Sequence, residues 1–161
     1  MKSGILILVI ISLAVACRPN ISALDAKESN IVRDSVHQMT VSLVNDLSTH
    51  GPIAWLNYFE ENPDFFMASD GQLPFKDYQS GKSFIENTLV KNIVKINLQL
   101  NQLRIDPLTS GLASIGASFH EDLTDSAKKI ISVDGYFTAL AKQTNRGWKF
   151  RNLHWSILKS K

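Results

Sequence analysis

The residues of this chain best suited to chemistry lie near its end, where Asn152, His154 and Ser156 alternate within Gly147-Trp-Lys-Phe-Arg-Asn-Leu-His-Trp-Ser156. An imidazole titrates near neutral pH without special tuning, so His154 is a candidate general acid or base. If the segment is a strand, alternation puts Trp148, Phe150, Asn152, His154 and Ser156 on one face and Lys149, Arg151, Leu153 and Trp155 on the other. With the first face inward, the three polar side chains need partners that a wet cavity or a ligand supplies more readily than a dry core. With the second face inward, Leu153 and Trp155 join the core and His154 lies on the surface. The residues alone leave both readings open. Tyr136, two residues before Thr138, could bring a hydroxyl to the same cavity and is the second catalytic candidate. His120 and Glu121 point to opposite faces, so at most one enters a pocket, and the polar turn beside them points to exposure for both. The histidines His37, His50, His120 and His154 show no metal-ligand spacing. The sequence has no phosphate-cradling glycine loop and no Gly-x-Ser-x-Gly elbow, so no metal and no cofactor is expected.

The start of the chain bears on location. Lys2 is followed by an apolar run, Ile5 to Ala16, that is too short to span a bilayer and has the shape of a secretory leader. Leu13-Ala14-Val15-Ala16-Cys17 resembles a bacterial lipobox, which makes Cys17 the expected lipidation site. A lone cysteine forms no internal disulfide, which suits a thiol consumed by an anchor. Residues 1–16 are therefore expected to be a signal peptide with lipobox, residues 17–24 a tether, and residues 25–161 a single domain. The mature protein would be secreted across the inner membrane and lipid-anchored in the periplasm or at the cell surface. With 17 basic and 15 acidic side chains, the chain lacks the basic footprint of a nucleic-acid binder. The charges are unevenly placed. Asp25 to Asp70 holds eight acids against Lys27 and Arg33, while Lys142 to Lys161 holds six bases and no acid, as expected of solvated faces that attract one another in the fold.

The elements that must position these residues follow from periodicity. Val32, Val36, Met39, Leu43 and Leu47 form one stripe of a long amphipathic helix, ended by His50-Gly51-Pro52. Pro52 starts a shorter helix through Phe59, and Asn62-Pro63 stops it. Residues 64–69 and 72–75 flank Asp70-Gly71, a strong hairpin signal. A third helix is expected over residues 80–92, with Phe84, Ile85, Thr88 and Leu89 on its inner side. The period then changes to two. Val94, Ile96, Leu98 and Leu100 alternate, the pattern slips near Asn101 and Gln102 as at a β-bulge, and it resumes at Leu103 and Ile105. Three more long strands follow, at residues 112–121, 129–143 and 148–158. Three helices followed by four antiparallel strands make an α+β fold whose sheet covers its apolar face with the helices. The aromatic set Trp55, Tyr58, Phe59, Phe65, Phe66, Tyr78 and Phe84 should be mostly core, with Trp55, Tyr58 and Tyr78 at the wall of a pocket.

The order of elements, the phrase Asn62-Pro-Asp-Phe-Phe-Met-Ala-Ser-Asp-Gly71, and the ending Gly135-Tyr-Phe-Thr138, Gly147-Trp148 and His154-x-Ser156 together resemble the nuclear transport factor 2-like superfamily, in its SnoaL-like branch. The resemblance runs from Asp25 to Lys159. It implies a cone-shaped fold with a strongly curved sheet, a pocket used for catalysis in some members and for binding in others, and possible homodimers through the sheet. Ketosteroid isomerase and the polyketide cyclases, which share that fold, need a carboxylate base in the cavity. In isomerases of that type the base lies at the end of the first short strand, which corresponds here to Ser69 and Asp70, and their tyrosine donor on the first helix has no counterpart between Asp25 and His50. The first functional reading is accordingly a lipid-anchored, non-catalytic domain that binds a small apolar ligand or a protein partner. Its expected pocket residues are Trp55, Tyr58, Tyr78, Tyr136, Asn152, His154 and Ser156. The alternative is a cofactor-independent lyase, isomerase or hydrolase using His154.

Overall fold

The computed structural model describes residues 24–158. The leader, Cys17 and nearly all of the tether lie outside the described residues, among which no helix is long and apolar enough to cross a membrane. Helix α1 spans Ala26–His50 and opens with a capping box. The Asp25 carboxylate accepts from the Glu28 amide at 2.7 Å, and the Glu28 carboxylate accepts from the Asp25 amide at 3.2 Å. Its buried stripe is the one the spacing predicts, with Thr40 added, whose hydroxyl donates to the His37 carbonyl at 2.7 Å. Gly51, at φ 70°, turns the chain out of the helix.

Pro52 lies in the first turn of a 3-10 helix, Gly51–Asn57, which stops short of the expected Phe59. Backbone pairing with the last strand explains the early end. The Phe150 amide donates to the Tyr58 carbonyl at 2.7 Å and the Glu60 amide to the Phe150 carbonyl at 2.8 Å, pulling the chain straight at Phe59. The hairpin forms as expected. Strands β1 (Phe66–Ser69) and β2 (Gln72–Phe75) are joined by Asp70 at φ 46° and Gly71 at φ 79°, the left-handed pair of a type I′ turn. Helix α2 (Tyr78–Phe84) starts on a second capping box, Asp77 with Ser80, and continues through a π-helical turn, Ile85–Leu89, into the short α3 (Val90–Asn92). The π turn has no forerunner in the sequence pattern. It leaves Ile85 buried, Leu89 half-buried and Thr88 exposed.

Strands β3 (Ile93–Thr109), β4 (Leu112–Asp125), β5 (Ile130–Thr144) and β6 (Gly147–Ile157) pair antiparallel in sequence. The hairpin extends this sheet, because β1 lies parallel to β6, which gives the order β2-β1-β6-β5-β4-β3. Register irregularities interrupt it, three of which bear on the site. The bulge between Asn101 and Arg104, with Gln102 at φ 52°, falls where the slipped alternation places it. A shift between Ile93 and Lys95 buries Ile93 and turns Val94 outward, against the expected alternation. In β6, Phe150 pairs with Ala141 but Asn152 pairs with Leu140, so Arg151 is an extra residue.

Long α1 lies across the inner face of the bent sheet, and the core fills the space between them. Trp155 is its hub, with ring centroids 4.3 Å from Phe119, 5.2 Å from Phe137 and 5.9 Å from Trp55. Gly135 makes room for this cluster, since a Cβ there would lie 2.6 Å from the Phe119 ring and 2.1 Å from the Ser156 carbonyl oxygen. The uneven charge closes on itself, as expected. Lys142 Nζ meets Glu60 Oε1 at 2.7 Å, Arg151 Nη2 meets Asp64 at 3.0 Å, and Arg146 pairs with Glu61.

Candidate functional site

Between the inner face of the sheet, the hairpin and the α2–α3 segment lies an apolar cavity of about 250 Å³. The 3-10 helix contributes Trp55, β1 contributes Met67 and Ser69, and β2 contributes Phe75. The π turn supplies Ile85 and Leu89, and β6 supplies Leu153, Trp155 and Ile157. Phe59 and Ile96 also line it, and Phe84, Leu123 and Val133, which are only partly covered, mark the mouth. One ionisable group faces this space among the described residues: Glu121, only 8% exposed.

The placement of Glu121 follows from the alternation of β4. Ala113, Ile115, Ala117 and Phe119 are buried in turn on the inner face, Glu121 is the next inward position, and Leu123 follows near the mouth. Across the sheet it pairs with Leu98 on β3 and Val133 on β5, both apolar. Among the described residues its carboxyl has no hydrogen-bond donor and no cation beside it. Burial alone therefore acts on it and pushes its pKa up to about 7. Its neighbours His120 and Asp122 face outward. His120 Nδ1 lies 2.8 Å from Asp134 and Nε2 lies 3.3 Å from Asp122, and this carboxylate pair raises the imidazole pKa, the Asp134 hydrogen bond contributing most.

Of the residues expected to line the pocket, Trp55 lines this cavity. Tyr58 is buried elsewhere, its hydroxyl donating to Asp46 Oδ2 at 2.6 Å; burial and that carboxylate both raise its pKa. Tyr78 is buried beside a polar groove that also holds Glu61, Arg146 and Lys149. Asn152, His154, Ser156 and Tyr136 are brought together, but on the outer face of the sheet. His154 pairs with Thr138, Ser156 pairs with Tyr136, and Asn152 and His154 line a shallow outer groove with Phe66 and Ser114. Tyr136 is 46% exposed. The bulge at Arg151 is the physical reason: it moves the inward positions from Phe150 to Leu153, Trp155 and Ile157, so the expected continuation through Asn152, His154 and Ser156 is reversed. Glu121 corrects a second expectation, since it is buried where exposure was foreseen. The signal for it was a carboxylate at the apolar phase of an otherwise regular strand.

No family model and no curated protein matches the sequence. Solved structures do match in shape. A nuclear transport factor 2-like superfamily protein from Salmonella enterica serovar Typhimurium superposes with a TM-score of 0.68 at 14% identity, covering 82% of this chain and 94% of that one. The fold is that of the nuclear transport factor 2-like proteins. A scytalone dehydratase-like protein from Novosphingobium aromaticivorans shares this fold with a TM-score of 0.69 at 12% identity, covering 83% and 89%. So does the LinA-type3 hexachlorocyclohexane dehydrochlorinase of Novosphingobium barchaimii, with a TM-score of 0.63 at 10% identity, covering 81% and 88%. In the nuclear transport factor 2-like cone of this chain, the cavity lies under the curved sheet and Glu121 is its ionisable group among the described residues.

Proposed function

We propose that the domain binds a small apolar molecule in the cavity beneath the sheet, while a lipid on Cys17 holds it at a membrane surface after secretion. The observation that carries this reading is an apolar space of about 250 Å³ with a single carboxyl in its wall. An engineered apolar cavity of ~150 Å³ already takes up benzene, and drug-sized sites run to roughly 300–1,000 Å³. The fitting ligand is thus larger than one ring and smaller than a typical drug. Val133→Phe, which narrows the cavity opposite Glu121, tests the reading. Titration calorimetry with neutral alcohols on hexyl, benzyl and naphthylmethyl frames should show binding to the parent protein and its loss in the variant, with circular dichroism unchanged. Equal binding to both proteins places the ligand elsewhere and ends the proposal. Cys17→Ala should move the protein from the membrane fraction to the soluble fraction, and retention in the membrane fraction would remove the anchor.

A second reading, cofactor-independent proton transfer, is favoured by the raised pKa of Glu121, about 7, which suits a general acid or base near neutral pH. The group that would move the proton is then Glu121 and not His154, which lies on the other side of the sheet.

A further inference from the structure

We propose that the cavity selects small apolar amines, with the Glu121 carboxylate receiving the ligand's ammonium group. This rests on the binding function proposed above and assigns its ligand class. Glu121 stands partway along the cavity wall, one inward step from buried Phe119 and one from Leu123 near the mouth. A ligand that fills the cavity therefore lays its apolar body on Trp55 and Trp155 and passes its polar group beside the carboxyl.

Three kinds of polar group can be compared. A second carboxylate would set two like charges together in an apolar wall. A hydroxyl would donate one hydrogen bond and leave the negative charge uncompensated. An ammonium would both donate and neutralise, and the protein has already borne the cost of removing its own half of the pair from water.

The surroundings offer Glu121 no alternative partner. From β3 it meets Leu98 and Ile96, and from β5 Val133. The 3-10 helix brings Trp55, the α2–α3 segment Ile85 and Leu89, and β6 Trp155 and Ile157. On β4 itself the flanking His120 and Asp122 face outward and are engaged with each other and with Asp134. No other titratable or charged side chain lines the cavity among the described residues. Ser69, on β1, is the other polar side chain in the lining.

Titration calorimetry on matched ligands tests this, with the hexyl, benzyl and naphthylmethyl frames each carried as amine, alcohol and carboxylic acid. At about pH 8 Glu121 is ionised and an alkylamine is still protonated, so on at least one frame the amine should bind at least about ten-fold tighter than its alcohol. At roughly pH 5.5, where Glu121 is protonated, the preference should vanish. Glu121→Gln should abolish the amine-over-alcohol preference at the higher pH. Amine binding should also lower the pH at which the Glu121 carboxyl carbon titrates by NMR. If alcohols bind but amines bind no tighter, if acids bind tighter than amines at the higher pH, or if the preference survives Glu121→Gln, the amine assignment is wrong and the cavity remains a general apolar site. If no member of any series binds, the binding function fails and the ligand class with it.

Discussion

At the residue scale, the chemistry of Glu121 disagrees with its surroundings, and that conflict has a measurable cost. In the unfolded chain its carboxyl ionises near the ordinary value of 4.5, whereas in the fold it does so at about 7. Below the lower value both states are protonated and the group is neutral toward stability. As pH rises through this window the unfolded state releases its proton first, so folding is progressively opposed. Above the higher value the penalty is complete, on the order of 3 kcal/mol. Glu121→Gln removes it. The stability of the variant relative to the parent, from urea unfolding, should therefore rise by about 3 kcal/mol between roughly pH 4 and pH 8. A difference that does not change with pH would show that the carboxyl finds a partner or solvent in the folded protein. Glu121 was half legible from the sequence: its phase in β4 was readable, but burying an unpartnered acid is unfavourable enough that exposure was the physically ordinary expectation.

At the element scale, legibility tracks how local the determining interaction is. Helix α1 was readable from stripe and stop because both reside in consecutive residues, and so was the Asp70-Gly71 hairpin. The bulge near Gln102 was readable because apolar residues resume on both sides of it. The bulge at Arg151 was not, since Trp148 and Phe150 precede it at one phase and Leu153 and Trp155 follow at the other, and both phases look inward until Leu140 and Ala141 set the register. The π turn was likewise silent, because an added residue in a helix changes burial without changing composition. Gly135 offers a test at this scale. Its missing side chain lets Phe119 and the backbone at Ser156 close on β5, so Gly135→Ala must displace a ring or a strand. The expected cost is about 1–3 kcal/mol, measured by denaturant unfolding. A neutral result would mean that β5 and β6 can part locally without loss.

For the whole molecule, the cavity is the joint product of segments far apart in the chain. Trp55 and the hairpin come from the first half, Glu121 and Val133 from the middle of the sheet, and Trp155 from its last strand. The ion pairs of Glu60, Glu61 and Asp64 with Lys142, Arg146 and Arg151 tie the same halves together at the opposite margin. Removing β6 by ending the chain at Thr144 should abolish the cooperative unfolding transition, because β1 and β5 both lose their partner strand. A truncated protein that still unfolded in one sharp step would show that α1 and β3–β5 suffice.

The parallel pairing of Phe66–Ser69 with Asn152–Trp155 also has a temporal consequence. A hairpin made early must wait, unsupported, until nearly the entire polypeptide has been delivered before it can dock. Such distant pairing belongs to chains that fold in milliseconds to seconds, not microseconds. While a nascent chain waits, its future cavity is an open apolar trough that only the final strand can roof.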